Sequence, residues 1–213
     1  MRVTRLQKIT DRRYKVFLED GMSFPLYLGE VRKYHIAPDE EIADDILREL
    51  LDDVLTKRAK LRCMNLLKTM DRTEGQLRGR LSQDGYPDMI ADRAIEYVSS
   101  YRYIDDSRYT LNYVRQMSGR RSRRQIESDL MNRGIDREQI RTAFAELAQE
   151  RMPGEDADDP DITAIRALAR KRGFDPRNAD RETSEKFIRY LFRRGFDYSS
   201  VRQALGNLPI QFN

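Results

Sequence analysis

The sequence predicts a mainly α-helical protein: an elongated series of tandem three-helix units of helix-turn-helix type, behind a small amino-terminal β-hairpin or meander. Three observations carry this. One pattern of residues recurs three times at fixed offsets: Leu77, Leu81, Gly85, Tyr86, Ala94, Ile95 and Val98; then Ile126, Leu130, Gly134, Ile135, Ala143, Phe144 and Leu147; then Phe187, Leu191, Gly195, Phe196, Ala204, Leu205 and Leu208. Internal repetition of this kind marks an array of supersecondary units. Charged residues make up 36% of the chain and hydrophobic ones 39%, which suits thin helical layers with much solvated surface better than one thick core. Residues 1–30, by contrast, run β-branched and aromatic, with the turn signal Glu19-Asp20-Gly21-Met22 between two such runs.

Taken in order, Val3 to Ile9, Tyr14 to Leu18 and Phe24 to Leu28 are the expected strands. Three short strands are barely stable alone, so the meander should lean on a helix. Val31 to Tyr34 reads as one helical turn. Pro38-Asp39-Glu40-Glu41 reads as the opening of a helix through Leu51, with acids in its first turn. These elements form an amino-terminal region, 1–53. Three units follow at 54–105, 106–151 and 161–213, with the acidic, proline-bounded linker 152–160 before the last.

The first helix of each unit falls near 54–69, 106–118 and 161–173. In the second, Leu77 and Leu81 lie four apart on one face. Gly85, Gly134 and Gly195 then stand where a helix ends in a left-handed residue, which glycine adopts at little cost. An apolar residue and a helix opener follow, Pro87 in the first copy and Asp136 in the second. Each unit buries little by itself, so neighbours should share apolar surface. The linker predicts that units one and two act as one rigid body while the third varies in placement.

Charge is unevenly spread. The net is −3 over 1–56, +3 over 57–105, +3 over 106–151, −4 over 152–160 and +5 over 161–213. A basic array with acidic flanks points to an anionic partner, either nucleic acid or an acidic protein surface. Met1-Arg2-Val3-Thr4-Arg5 leads into no apolar run, and no stretch is long enough to span a membrane. Cys63 is the single cysteine, which predicts a reducing, cytoplasmic setting.

Few residues suggest chemistry. His35 is the lone histidine and has no companion ligand; Cys63 sits in a helical pattern with Ala59, Leu66, Leu67 and Met70 and reads as a small core residue. The adjacent acids Asp44-Asp45, Asp52-Asp53, Asp105-Asp106 and Asp158-Asp159 point about 100° apart on a helix and cannot clamp one metal unaided. Asp105-Asp106 reads better as a helix N-cap, with Arg108 close enough to pair with it. No Walker-type phosphate loop, zinc-ligand spacing or nucleophile motif is present, so we expect no enzyme, no cofactor and no metal.

The strongest functional candidate is Ser118-Gly119-Arg120-Arg121-Ser122-Arg123-Arg124. Its four arginines repel one another unless they are solvated or meet anions, and guanidinium forks suit phosphates and carboxylates. Arg133, Arg170, Lys171, Arg172, Arg189, Arg193 and Arg194 extend the candidate partner surface. Tyr109 and Tyr113, four apart, read as residues packed between units rather than base-stacking platforms. Helix–glycine turn–helix units with arginines also resemble DNA-binding modules, so a direct DNA-binding regulator is the alternative function. Basic residues recur in every unit instead of concentrating on one recognition helix, which favours a different partner.

The stretch Tyr101-Arg102-Tyr103-Ile104-Asp105-Asp106-Ser107-Arg108-Tyr109 resembles the junction between the first two units of the RecX family, regulators of the RecA recombinase. Tyr113-Val114, the basic run, Ile126, Leu130 and Gly134-Ile135 are similar to that family's second unit, and Arg193-Arg194-Gly195-Phe196 to its third. The resemblance covers roughly 57–208, with Gly75, Gly79 and the length of the linker as departures. It implies tandem three-helix units and no catalysis. It also implies a monomer that lies along the RecA–DNA filament and damps its ATP hydrolysis, strand exchange and coprotease activity in recombinational repair and the SOS response. Contact with single- or double-stranded DNA would be weak and non-specific. The same resemblance places Asp105, Asp106, Arg108 and Tyr109 at the junction between repeats.

Overall fold

The structure is a computed structural model and describes residues 1–150 and 159–206. Most of the acidic linker, and Leu208 of the third copy, lie outside the described residues. The chain divides into two compact units, Met1–Asp106 and Ser107–Asn213.

The first unit opens with an antiparallel sheet in the order β1 (Val3–Thr10), β2 (Arg13–Leu18), β3 (Ser23–Tyr27). Leu6 pairs with Val16, Val16 with Phe24 and Tyr14 with Leu26, so one face is apolar; Val16, Phe24 and Leu26 are fully buried. Gly21 takes φ +86° in the β2–β3 turn, where the Met22 N–H donates to Asp20 Oδ1 at 2.9 Å. α1 (Leu28–Lys33) follows directly.

The helix expected from Pro38 begins later. Strand β1 competes for this backbone: the Val3 N–H donates to the Glu40 carbonyl and the Asp39 N–H to the Val3 carbonyl, both at 2.9 Å, and Glu41 bridges Arg2. Asp39 sits at φ +65° to make the turn. Helix α2 therefore starts at Asp44 (Asp44–Glu49) and runs without a break through a π-helical stretch, Leu50–Leu55, into α3 (Thr56–Leu67). The Thr56 hydroxyl donates to the Leu51 carbonyl at 2.8 Å, helping to hold the wide turn.

This continuous helix passes through the expected 53/54 boundary. Leu50, Leu51 and Leu55 share one apolar cluster with the sheet, with Ala59 and Cys63 of α3, and with α4 (Glu74–Gln83) and α5 (Asp88–Ser100). The meander thus finds the helical support that three short strands need. Glycines 75 and 79 do not prevent α4, which carries a full capping box: the Gln76 N–H donates to Thr73 Oγ1 (3.1 Å) and the Thr73 N–H to Gln76 Oε1 (3.2 Å).

The second unit comprises α6 (Asp106–Met117, whose first residue closes the first unit), α7 (Arg123–Met131), α8 (Arg137–Gln149), α9 (Pro160–Lys171), α10 (Arg181–Arg193) and α11 (Tyr198–Leu205). It holds two small cores. One gathers Tyr113, Val114, Ile126, Leu130, Ile135, Ile140 and Ala143; the other is built on Ile165, Phe187, Leu191 and Phe196. The repeated glycine behaves as its position predicts. Gly85, Gly134 and Gly195 have φ of +87°, +84° and +83°, and the apolar residues after them are buried. The N–H groups of Tyr86, Ile135 and Phe196 reach back to the Leu81, Leu130 and Leu191 carbonyls, at 3.0, 3.1 and 3.3 Å. This six-residue closure is the Schellman motif, which satisfies carbonyls the helix end leaves open.

Candidate basic interface

The arginine run links α6 to α7. Gly119, at φ +74°, ends the first helix, and Ser122 caps the second by accepting the Gln125 N–H at 3.2 Å. Ser122 is fully buried and also donates its hydroxyl to the Arg194 carbonyl at 2.6 Å, where α10 ends. Beside it the Arg123 N–H donates to Asp161 Oδ1 at 2.9 Å. Two hydrogen bonds therefore close the third repeat onto the second inside one compact unit. That corrects the expectation that the third repeat varies freely in placement: backbone groups left open at two helix ends find partners across the junction.

The four arginines of the run divide into two pairs. Arg121 is ion-paired with Asp129, whose carboxylate also accepts the Tyr113 hydroxyl at 2.9 Å. Arg123 pairs with Glu127 at 2.9 Å and lies 4.4 Å from the centre of the Phe144 ring. Both are committed to holding repeat two together. Arg120 and Arg124 are exposed, and neither side chain has a hydrogen-bond or ion-pair partner among the described residues. Arg124 lies against the end of α10, with its Cβ 3.3 Å from where a methyl group on Gly195 would stand.

Arg133 is a packed residue: it bonds the Tyr109 hydroxyl and sits 4.2 Å from the Tyr113 ring centre, the two tyrosines stacking at 6.4 Å. Tyr109 thereby packs within repeat two, against Arg133 and Tyr113. In the third repeat Arg172 and Arg194 both lie over Tyr190, at 3.8 and 5.0 Å. Arg170 and Lys171 are exposed in the last turn of α9, where they complement its dipole. Arg189 and Arg193 are exposed on α10 and line a shallow groove with Phe192. The structure thus gathers Arg124 and Arg194 at the junction, leaves Arg189 and Arg193 along α10, and engages Arg121, Arg133 and the still exposed Arg123 in contacts within repeat two.

The Asp105-Asp106 pair, expected as an N-cap of α6, has one contact at the start of a different helix. Asp105 precedes α6 and Arg108 lies in its first turn, while the Asp106 carboxylate accepts the Glu74 N–H at 3.0 and 3.3 Å, at the start of α4. Asp161 repeats this device at the start of α7. Burial raises the pKa of both carboxyls, Asp161 to about 6. Sequence reasoning missed Asp161 and Ser122. The available signal was weak: Thr73 and Ser122 each stand four residues before the first apolar residue of their copy.

A raised carboxyl pKa has a definite sign. The folded state holds the Asp161 proton more tightly than the unfolded chain, so this group's stabilising contribution is fully present below about pH 4. It is lost as pH rises to about 6. Asp161→Asn keeps an oxygen for the Arg123 N–H and removes the charge. We expect the variant to melt higher than the parent at pH 7, with the difference shrinking to nothing near pH 4, measured by thermal unfolding across that range. An unchanged difference across the range would refute the assignment.

The residues set aside on sequence grounds have structural roles or open positions. Cys63 is fully buried, and desolvation pushes its thiol up to about 11, so it is a poor nucleophile at neutral pH. His35 is exposed at φ +52° in the turn after α1. Asp52 pairs with Arg93 and Asp53 with Lys57, and Asp159 caps α9 by accepting the Asp161 N–H. Among the described residues no group of acids, histidines or cysteines is arranged to hold a metal, and no helix is long and apolar enough to cross a membrane.

Three family models match in chain order: "RecX, first three-helix domain" over 59–97, the second over 105–143 and the third over 159–205. "Regulatory protein RecX" of Clostridioides difficile is 26% identical over 205 residues, covering 95% of this chain and 92% of its own. The Clostridium botulinum (strain Alaska E43) protein of the same name is 25% identical, covering 96% and 94%. A crystal structure of regulatory protein RecX superposes with a TM-score of 0.59 at 19% identity, covering 95% of this chain and 98% of the other. The structure of RecX from Lactobacillus salivarius gives 0.53 at 19%, covering 72% and 96%. At such identities these superpositions establish the fold.

Proposed function

The chain belongs to the RecX family of regulatory proteins, and from that premise we propose that it binds the RecA–DNA filament in the cytoplasm and restrains its ATPase, strand-exchange and coprotease activities. The observation that carries this reading is the division within the arginine run. Arg120 and Arg124 are exposed and uncommitted while their neighbours are consumed by repeat two. Together with Arg170, Lys171, Arg189, Arg193 and Arg194 they give the second unit cations that suit carboxylates and phosphates on a filament surface. No catalysis, cofactor or metal is part of the proposal.

A direct sequence reader of duplex DNA fits less well. The helix after the glycine turn in repeat two, α8, mixes Arg137, Glu138, Arg141 and Glu146, and Arg141 is ion-paired with Glu138. Carboxylates on that helix would repel the phosphates flanking a groove. The test is RecA-catalysed ATP hydrolysis on single-stranded DNA with increasing amounts of this protein. We expect the rate to fall at concentrations that leave bare duplex unbound. An unchanged rate, with tight binding to bare duplex, would favour the DNA-reader alternative.

A further inference from the structure

Residues 1–56 are net acidic at −3, yet one face of the sheet carries no carboxylate. The register places Arg5 opposite Phe17, Gln7 opposite Lys15, Lys15 opposite Pro25 and Arg13 opposite Tyr27. Directly paired residues share a face, and residues two apart in a strand share it too. The face away from the core therefore reads Arg5, Gln7 and, past a register shift, Thr10 on β1, Arg13, Lys15 and Phe17 on β2, and Ser23 and Tyr27 on β3, with Pro25 between the last two buried. Three are cations, two are aromatic rings and none is acidic.

The nearby geometry makes these groups more than scattered surface charge. The Arg5 guanidinium lies 3.9 Å from the centre of the Phe17 ring, and Lys15 Nζ lies 5.2 Å from the same centre. Neither side chain has a hydrogen bond or ion pair among the described residues. Arg13 donates to the Asp84 carbonyl, a neutral partner that leaves its charge uncompensated. Tyr27 is 49% exposed, with Arg58 over its ring at 4.5 Å. Two acids beside Tyr27 and Arg13 are already used: Glu30 by Arg58 and Asp84 by Arg62. The two rings stand four residues apart along the β2 register, about 13 Å.

We propose that this sheet face binds single-stranded nucleic acid, with Arg5, Arg13 and Lys15 on the phosphates and with Tyr27 and the Phe17–Arg5 stack as platforms for bases. Cations tracking a backbone, interleaved with rings or guanidinium planes that accept any base, are the features that hold a single strand without reading its sequence. A duplex hides its base faces and would gain only the phosphate contacts. The proposal is independent of the RecA reading, since it concerns the first unit and bare nucleic acid.

The test uses the full chain and a fluorescein-labelled oligodeoxythymidine, followed by anisotropy, with Arg5→Glu/Lys15→Glu as the variant. Both variants lose the cations over Phe17, so each should melt slightly below the parent while staying folded at the assay temperature; Arg5→Gln/Lys15→Gln is the milder second variant. We expect at least roughly tenfold weaker binding and a salt slope shallower by about 1.4, the counterion release of two phosphate contacts on a single strand. A duplex of equal length should lose less. Arg120→Glu/Arg124→Glu, run in parallel, should leave the bare-strand affinity close to that of the parent. Unchanged binding of bare oligonucleotide by both sheet variants would overturn the proposal. So would a loss seen only with RecA-coated DNA, which would assign the face to a protein partner.

Discussion

Gly195→Ala should destabilise the second unit by about 3 kcal/mol, whereas Gly85→Ala should cost the first unit only about 1 kcal/mol. Both glycines end the second helix of their repeat, at φ +83° and +87°, so the left-handed penalty on a Cβ is shared. Their surroundings differ. A methyl at Gly85 meets nothing within 4 Å, but at Gly195 it comes to 3.0 Å from Ser122 Oγ and 3.3 Å from Arg124 Cβ. Ser122 cannot rotate aside without giving up both the Arg194 carbonyl and the N-cap of α7. Calorimetry of the full-length variants should show the second unit's transition lowered by roughly 10 °C or more. In Ser122→Ala/Gly195→Ala the hydroxyl that clashes is gone, so the two losses should be less than additive. Equal losses at Gly85 and Gly195 would mean that the junction adds nothing.

Charge reversal should separate the arginine run into two functions. Arg120→Glu/Arg124→Glu should melt within a degree or two of the parent, because neither side chain has a partner to lose. On the proposed reading it should need at least roughly tenfold more protein to slow RecA ATP hydrolysis, since attraction becomes repulsion at both positions. Arg121→Glu/Arg123→Glu should behave differently. The new carboxylate at position 121 would face Asp129, the one at position 123 would face Glu127, and the cation over Phe144 would be lost. Solvent screens these half-exposed pairs, so each contributes about 1 kcal/mol or less, and a fall of several degrees in melting temperature is expected. If Arg120→Glu/Arg124→Glu stays folded and still inhibits at the parent's concentration, these two arginines are not the contact.

The recurring apolar spacing and the glycine after each second helix determined the three-helix repeats. These are local matters: a helical face needs apolar residues three or four apart, and a left-handed helix end needs a residue without a Cβ. The same locality made the three strands readable from alternation and turn chemistry. Tertiary structure decided what depends on partners distant in sequence. Strand β1 claimed the backbone of Asp39 and Glu40, so the helix expected from Pro38 starts at Asp44. The sheet's apolar face drew Leu50, Leu51 and Leu55 into its core and fused the amino-terminal region to the first repeat. Ser122 and Asp161 fixed the third repeat on the second across 72 and 38 residues. Which arginines remain free was also beyond the sequence. Four cations in five residues look alike in one dimension, and only the positions of Asp129, Glu127, Phe144 and Gly195 in space separate the pair that holds the fold from the pair that faces outward.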